Sequence, residues 1–122
     1  MKLKMIGAGM LLLGVVSDRA WGAQDAPKTG YIIAQIDVTN PQTYAEYAKL
    51  SPGIISQYGG RFLARAGRTV TLEGTPARSR VVIVEYPSFE QAQSFFNSSE
   101  YQQAKKLREG AANAQFIVVE GQ

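Results

Sequence analysis

Tyr58-Gly59-Gly60-Arg61-Phe62-Leu63-Ala64-Arg65 joins two periodicities. Before it, apolar residues recur at helical spacing. The glycine pair ends that pattern, because the left-handed position after a last helical turn costs glycine nothing. Directly after, Arg61 to Ala66 alternates as a strand does. Phe62, Ala64 and Ala66 fall on one predicted face, and Arg61, Leu63 and Arg65 on the other.

Upstream, Asn40-Pro41 has the chemistry of a helix start, an N-cap followed by proline at the first helical position. Tyr44, Tyr47, Ala48, Ile54, Ile55 and Tyr58 carry the apolar stripe, and Pro52 predicts a bend or break near Ser51. Before that, Gly30 opens a strand through Val38. Ile32, Ala34, Ile36 and Val38 make an apolar face, and Tyr31, Ile33, Gln35 and Asp37 a mixed one.

Downstream, Thr69 to Glu73 is β-branched enough to predict a short strand paired back onto the second. Arg80-Val81-Val82-Ile83-Val84-Glu85-Tyr86 reads as a central strand, ended by Pro87. Ser88 with Gln91 three residues on forms a capping-box pattern for a helix buried through Phe89, Ala92, Phe95 and Phe96. Ser99 caps a further predicted helix, Glu100 to Glu109, on which Lys105, Lys106 and Arg108 read as a solvated face. Ala114 to Glu120 is the last strand. With the short strand set aside, the order is βαββαβ, the ferredoxin-like split unit of the α+β class. Its antiparallel sheet keeps helices on one face only. The other face would present Ile33, Leu63 and valines to water, which a second copy packed sheet to sheet would cover. A homodimer is therefore expected.

The N-terminus stands apart. Lys2 and Lys4 precede an apolar run, Met5 to Val16, and Ala20-Trp21-Gly22 places small residues for cleavage after Gly22. Residues 1–22 read as a signal peptide of an exported protein, periplasmic or secreted, with 23–29 as linker and 30–121 as the domain. The run is too short for a span of about 20 residues, so no stable membrane insertion is expected after cleavage. The net charge of +3 falls to about +1 once that leader is removed, and no basic stripe suggests nucleic acid.

The chain has no histidine and no cysteine. That removes a Ser-His-Asp triad, a cysteine nucleophile, a thiolate–imidazole zinc site and a histidine-ligated haem. The scattered acids show no ligand spacing, so no metal and no cofactor are assigned.

Several separated stretches carry a resemblance. Gly30 to Ala34, Tyr58 to Arg65, Glu85-Tyr86-Pro87-Ser88-Phe89, Ser98-Ser99-Glu100-Tyr101 and Ile117 to Gly121 agree in order and spacing with the domain of unknown function 1330. The resemblance covers Gly30 to Gly121. It implies the dimeric α/β-barrel superfamily, in which two ferredoxin-like sheets close an interface cavity. It implies no established activity.

The polar residues around such a cavity are the candidates. Asp37 ends the first strand on its mixed face, Arg61 and Arg65 lie on the second strand, and Glu85 is near the end of the central one. Tyr44, Tyr47 and Tyr101 are helix aromatics within reach of a strand end. An arginine fork suits the carboxylate or enolate of a small organic ligand, a desolvated Asp37 or Glu85 suits a general base, and a tyrosine suits an oxyanion. No residue is assigned to catalysis. The same charges read equally as ion pairs of a non-catalytic dimeric module, and the tyrosines as helix packing.

Overall fold

The computed structural model describes residues 27–122. The expected signal peptide and the first part of the expected linker lie outside them. No helix among the described residues is long and apolar enough to cross a membrane.

The first strand, β1 (Gly30–Val38), runs straight into α1 (Pro41–Gln57). Asn40 caps α1 as its sequence suggests, its side chain accepting from the Thr43 amide at 3.2 Å. Of the bend or break expected near Ser51, the break does not occur, and the helix continues through Pro52. One lost backbone hydrogen bond is tolerated where buried residues on both sides, Tyr47, Ser51 and Ile55, hold the helix to the sheet. The end falls where glycine allows it. Gly59 adopts φ +81°, and the Gly60 amide donates back to the Ile55 carbonyl at 2.9 Å.

The strand β2 (Arg61–Arg65) follows at once, and β3 (Arg80–Tyr86) pairs antiparallel with it. Between them, residues 66–79 form no ladder, so the short strand expected over Thr69 to Glu73 does not exist. Ala66 turns the chain out of the sheet at φ +57°. Val70 and Leu72 are left 78% and 90% exposed. Their β-branched and apolar character needs a partner strand to become structure, and none lies beside them.

Ser88 caps α2 (Phe89–Asn97), accepting from the Gln91 amide at 3.0 Å. The Gln91 side chain does not return the bond to Ser88. It donates to the Tyr58 carbonyl at 3.1 Å, tying α2 to the end of α1. The helix α3 (Ser99–Lys106) is capped by Ser98, one residue earlier than expected. Ser98 serves both helices, donating to the Phe95 carbonyl at 2.7 Å and accepting from the Tyr101 amide at 3.1 Å. The chain ends in β4 (Ala112–Glu120).

The sheet order is β2-β3-β1-β4, antiparallel throughout. This is the ferredoxin-like βαββαβ arrangement the patterning predicts. Ile32, Ala34, Ile36, Val84 and Tyr86 face the helices and form the core with Phe95 and Tyr101. Among the described residues the opposite face of the sheet carries no helix, and Leu63, Ile117 and Val119 on it are 47%, 50% and 44% exposed.

Candidate ligand-binding site

The register of β2 decides which charges share a space. Arg61 pairs with Glu85 and Phe62 with Val84, but the ladder slips between Phe62 and Ala64, leaving Leu63 as an extra residue. Arg65 therefore stands opposite Val82, on the helix side. A bulge changes the side to which every later residue points. The reading of Arg61, Leu63 and Arg65 as one face is corrected accordingly.

The seven sequence candidates separate into two groups. Asp37, Arg61 and Glu85 belong to the uncovered face and form two ion pairs. Arg61 Nε meets Glu85 Oε1 at 2.7 Å, and Tyr31 donates to the same carboxylate at 3.2 Å. Asp37 accepts from Arg78 Nη1 at 3.0 Å and from the Ser79 amide at 2.9 Å. The Ser79 amide is the main reason the Asp37 carboxyl lies below its ordinary pKa. Neither acid reaches Arg65. Both are already satisfied and partly exposed, which is a poor setting for a general base.

The second group lies on the helix side, where Tyr44, Tyr47 and Arg65 line a cavity between α1 and the sheet. On the uncovered face, where the sequence places a cavity, Gln35, Asp37, Arg78 and Gln115 border an open, more polar hollow of about 670 Å³ beside the 66–79 segment, and the pocket on the helix side is smaller and more apolar. Its walls are mostly apolar, from β1, β3, α1 and the rings of Phe62, Phe95 and Phe116. Its volume, measured to the positions of a water centre, is about 60 Å³. That is several times the roughly 10–15 Å³ one water needs. An apolar cavity that takes benzene measures about 150 Å³, so a molecule of one ring fits only by also occupying the open mouth of this pocket.

Tyr101 is fully buried behind this wall and does not line it. Its hydroxyl lies 2.7 Å from that of Tyr47, and Arg108 Nη2 donates to it at 3.4 Å. Burial, with Tyr101 close by, pushes the Tyr47 phenol far above its ordinary pKa, so it stays protonated. Arg108 contradicts its assignment to a solvated face. It is 7% exposed, with its guanidinium 5.2 Å from the Tyr47 ring centre and 4.7 Å from that of Phe116. Periodicity on a short helix followed by a turn does not reveal this, because β4 supplies one of the two rings.

Two cavity residues escaped the sequence reading. Arg80 and Tyr86 share the parity of Val82 and Val84 on β3, and that alternation was the available signal. The Tyr86 hydroxyl and Arg80 Nε are shielded from water and have no hydrogen-bond partner among the described residues. Burial holds the Tyr86 phenol in its protonated form. The Arg80 guanidinium lies 5.7 Å from the Tyr44 ring centre, and that of Arg65 4.4 Å from the Phe62 ring centre. Among the described residues, no group of three or more acids could hold a metal ion.

Fold and site together define a ferredoxin-like α+β protein with a small pocket between its first helix and its sheet. The chain belongs to the family of the domain of unknown function DUF1330, whose model matches residues 29–122. It is similar to RPA0582, a protein of unknown function from Rhodopseudomonas palustris, at 18% identity over 100% of this chain and 95% of that one, with a TM-score of 0.63. It is also similar to SnoaB, a cofactor-independent oxygenase from Streptomyces nogalater, at 9% identity over 78% of this chain and 94% of that one, with a TM-score of 0.56. At such identities these likenesses show the fold alone. No curated protein matches the chain.

Proposed function

We propose that this protein binds a small organic molecule, about one ring in size and carrying an oxygen function, in the cavity between α1 and the sheet. One observation carries the reading. A mostly apolar pocket is lined by Tyr86, whose shielded hydroxyl has no hydrogen-bond partner among the described residues. A buried unpaired hydroxyl costs about 1–3 kcal/mol, which a bound oxygen or nitrogen would relieve. Apolar walls with few polar groups are the usual make-up of a small-molecule site. The fold shared with a cofactor-independent oxygenase supports small-molecule use of such a scaffold. No catalytic step is assigned.

The test is a fragment titration followed by methyl NMR. Binding in the cavity shifts the methyls of Ile36, Ile55, Val82 and Val84. Ala48 lines the cavity, and Ala48→Leu should abolish those shifts while the protein stays folded. Shifts confined to Ile33 and Ile117, on the other face, would refute the reading.

A homodimer belongs to the same proposal, supported by the exposed Leu63, Ile117 and Val119 on the helix-free face. The cavity and that face lie on opposite sides of the sheet, so a purely assembling role for the face and a binding role for the cavity are compatible. Sedimentation should show a dimer that Ile117→Lys dissociates. An exported compartment also belongs to the proposal, supported by the signal-peptide pattern of residues 1–22, and a mature N-terminus at Ala23 in the native host checks that.

A further inference from the structure

The charge of the cavity identifies its ligand more closely than its shape does. Arg65 and Arg80 line it, and neither belongs to an ion pair among the described residues. No aspartate or glutamate among the described residues lines it. The contrast within one sheet is informative. On the uncovered face, Arg61 and Arg78 each meet a carboxylate. On the helix side, the cations are left without one.

The two are also neighbours. Arg65 is registered against Val82, and Arg80 lies two positions along the same strand on the same face. Such diagonal neighbours sit about 7–8 Å apart at the backbone, well within reach of two long side chains. Each guanidinium lies near an aromatic ring, of Phe62 and of Tyr44, leaving its edge free to donate. The Arg80 Nε proton is shielded from water and has no acceptor among the described residues. A third cation adds to the field. Arg108, with no acidic partner among the described residues, packs against the Tyr47 and Phe116 rings, two walls of the same cavity.

We infer that the ligand is a single-ring carboxylate, its charged group taken between Arg65 and Arg80 and its ring held in the apolar slot. Guanidinium edges match a carboxylate in two-point geometry, and the pair spans the pocket mouth, with Arg80 half-buried among apolar walls and Arg65 exposed at the surface. The Tyr86 hydroxyl then serves as donor to a second polar atom of the ligand. The inference rests on the cavity reading above and adds the charge of the occupant.

The test compares benzoate and cyclohexanecarboxylate with benzamide, which has nearly the shape of benzoate without its charge. Each is titrated at up to millimolar concentration, with cavity methyl shifts as the readout. Both carboxylates should bind, and benzamide at least ten-fold more weakly. Arg65→Gln and Arg80→Gln should each weaken benzoate about ten-fold or more, the scale of one charge-assisted hydrogen bond, while changing benzamide less than two-fold. Arg80→Lys keeps the charge without the fork and should fall between. Unchanged methyl spectra of the free variants show that they fold. Equal binding of benzoate and benzamide would overturn the anion assignment and leave the cavity reading standing. Absence of cavity shifts with all three probes would overturn both.

Discussion

Arg61 and Arg65 stand four residues apart on β2 and on opposite faces of the sheet. An unbroken strand would place them on one face. The extra residue at Leu63 moves Arg65 to the side of the helices, where it meets a cavity, and leaves Arg61 with Glu85. β2 is an edge strand, where such a bulge is least disruptive.

The two arginines should therefore behave differently. Arg61 is largely exposed, so Arg61→Gln should change stability by less than about 1 kcal/mol. It should leave benzoate binding unaltered. Arg65→Gln should weaken benzoate with little effect on stability. Chemical denaturation and titration of the same two variants check both statements.

The Tyr47–Tyr101 pair should act as a unit. Tyr101→Phe leaves both the Tyr47 hydroxyl and Arg108 without their buried partner, and should cost about 2–3 kcal/mol. Tyr47→Phe leaves Tyr101 its bond to Arg108 and should cost about 1 kcal/mol. The double variant should be less destabilised than the sum, since one removal already breaks the shared bond. Additive values in a denaturation cycle would contradict the shared hydrogen bond.

Gly60 is required for space. A methyl there would lie 2.7 Å from Ile55 Cγ2 and 2.7 Å from Tyr86 Cε1. Gly60→Ala should cost about 1–3 kcal/mol, as overpacking does, and should displace the Tyr86 ring. Ligand affinity should fall with stability here, whereas Gly53→Ala, which meets nothing within 4 Å, should leave the cavity unaltered.

Acid should loosen the segment 66–79 before it unfolds the core. Asp37 accepts the Ser79 amide and Arg78, and its folded pKa lies below the ordinary 3.8. A depressed carboxyl stabilises the fold fully above its unfolded value, and the contribution is lost as pH falls through the lower folded value. The Ser79 amide shift should thus stay constant at neutral pH and move only below 3.8. In Asp37→Ala the amides of Arg78 and Ser79 should exchange faster at neutral pH, where the wild type protects them.

The neutral Tyr86→Phe variant separates the hydroxyl from the ring. It removes a buried group with no protein partner, so stability should hold or rise slightly. Affinity for 4-hydroxybenzoate should fall if the hydroxyl reaches the second polar group of a bound acid, and cavity titrations read this directly.

Much of this protein is local and was legible as sequence. Asn40, Ser88 and the Gly59-Gly60 stop act on backbone groups a few residues away, so their chemistry needs no partner. The alternation of β1 and β3 reports which side meets the core, because one buried face must be apolar. From these elements the βαββαβ order follows, and with it the helix-free face.

Tertiary structure decided what depends on a neighbour. Thr69 to Leu72 has strand chemistry and no strand beside it, so it stays irregular. Leu63 is an extra residue only relative to Ile83 on the facing strand, and that register sets the face of Arg65. Arg108 is buried because rings from α1 and β4 close around it. Parity, pairing and burial are relations between distant segments, so a charge readable in the chain acquires its role only when the sheet and helix around it are in place.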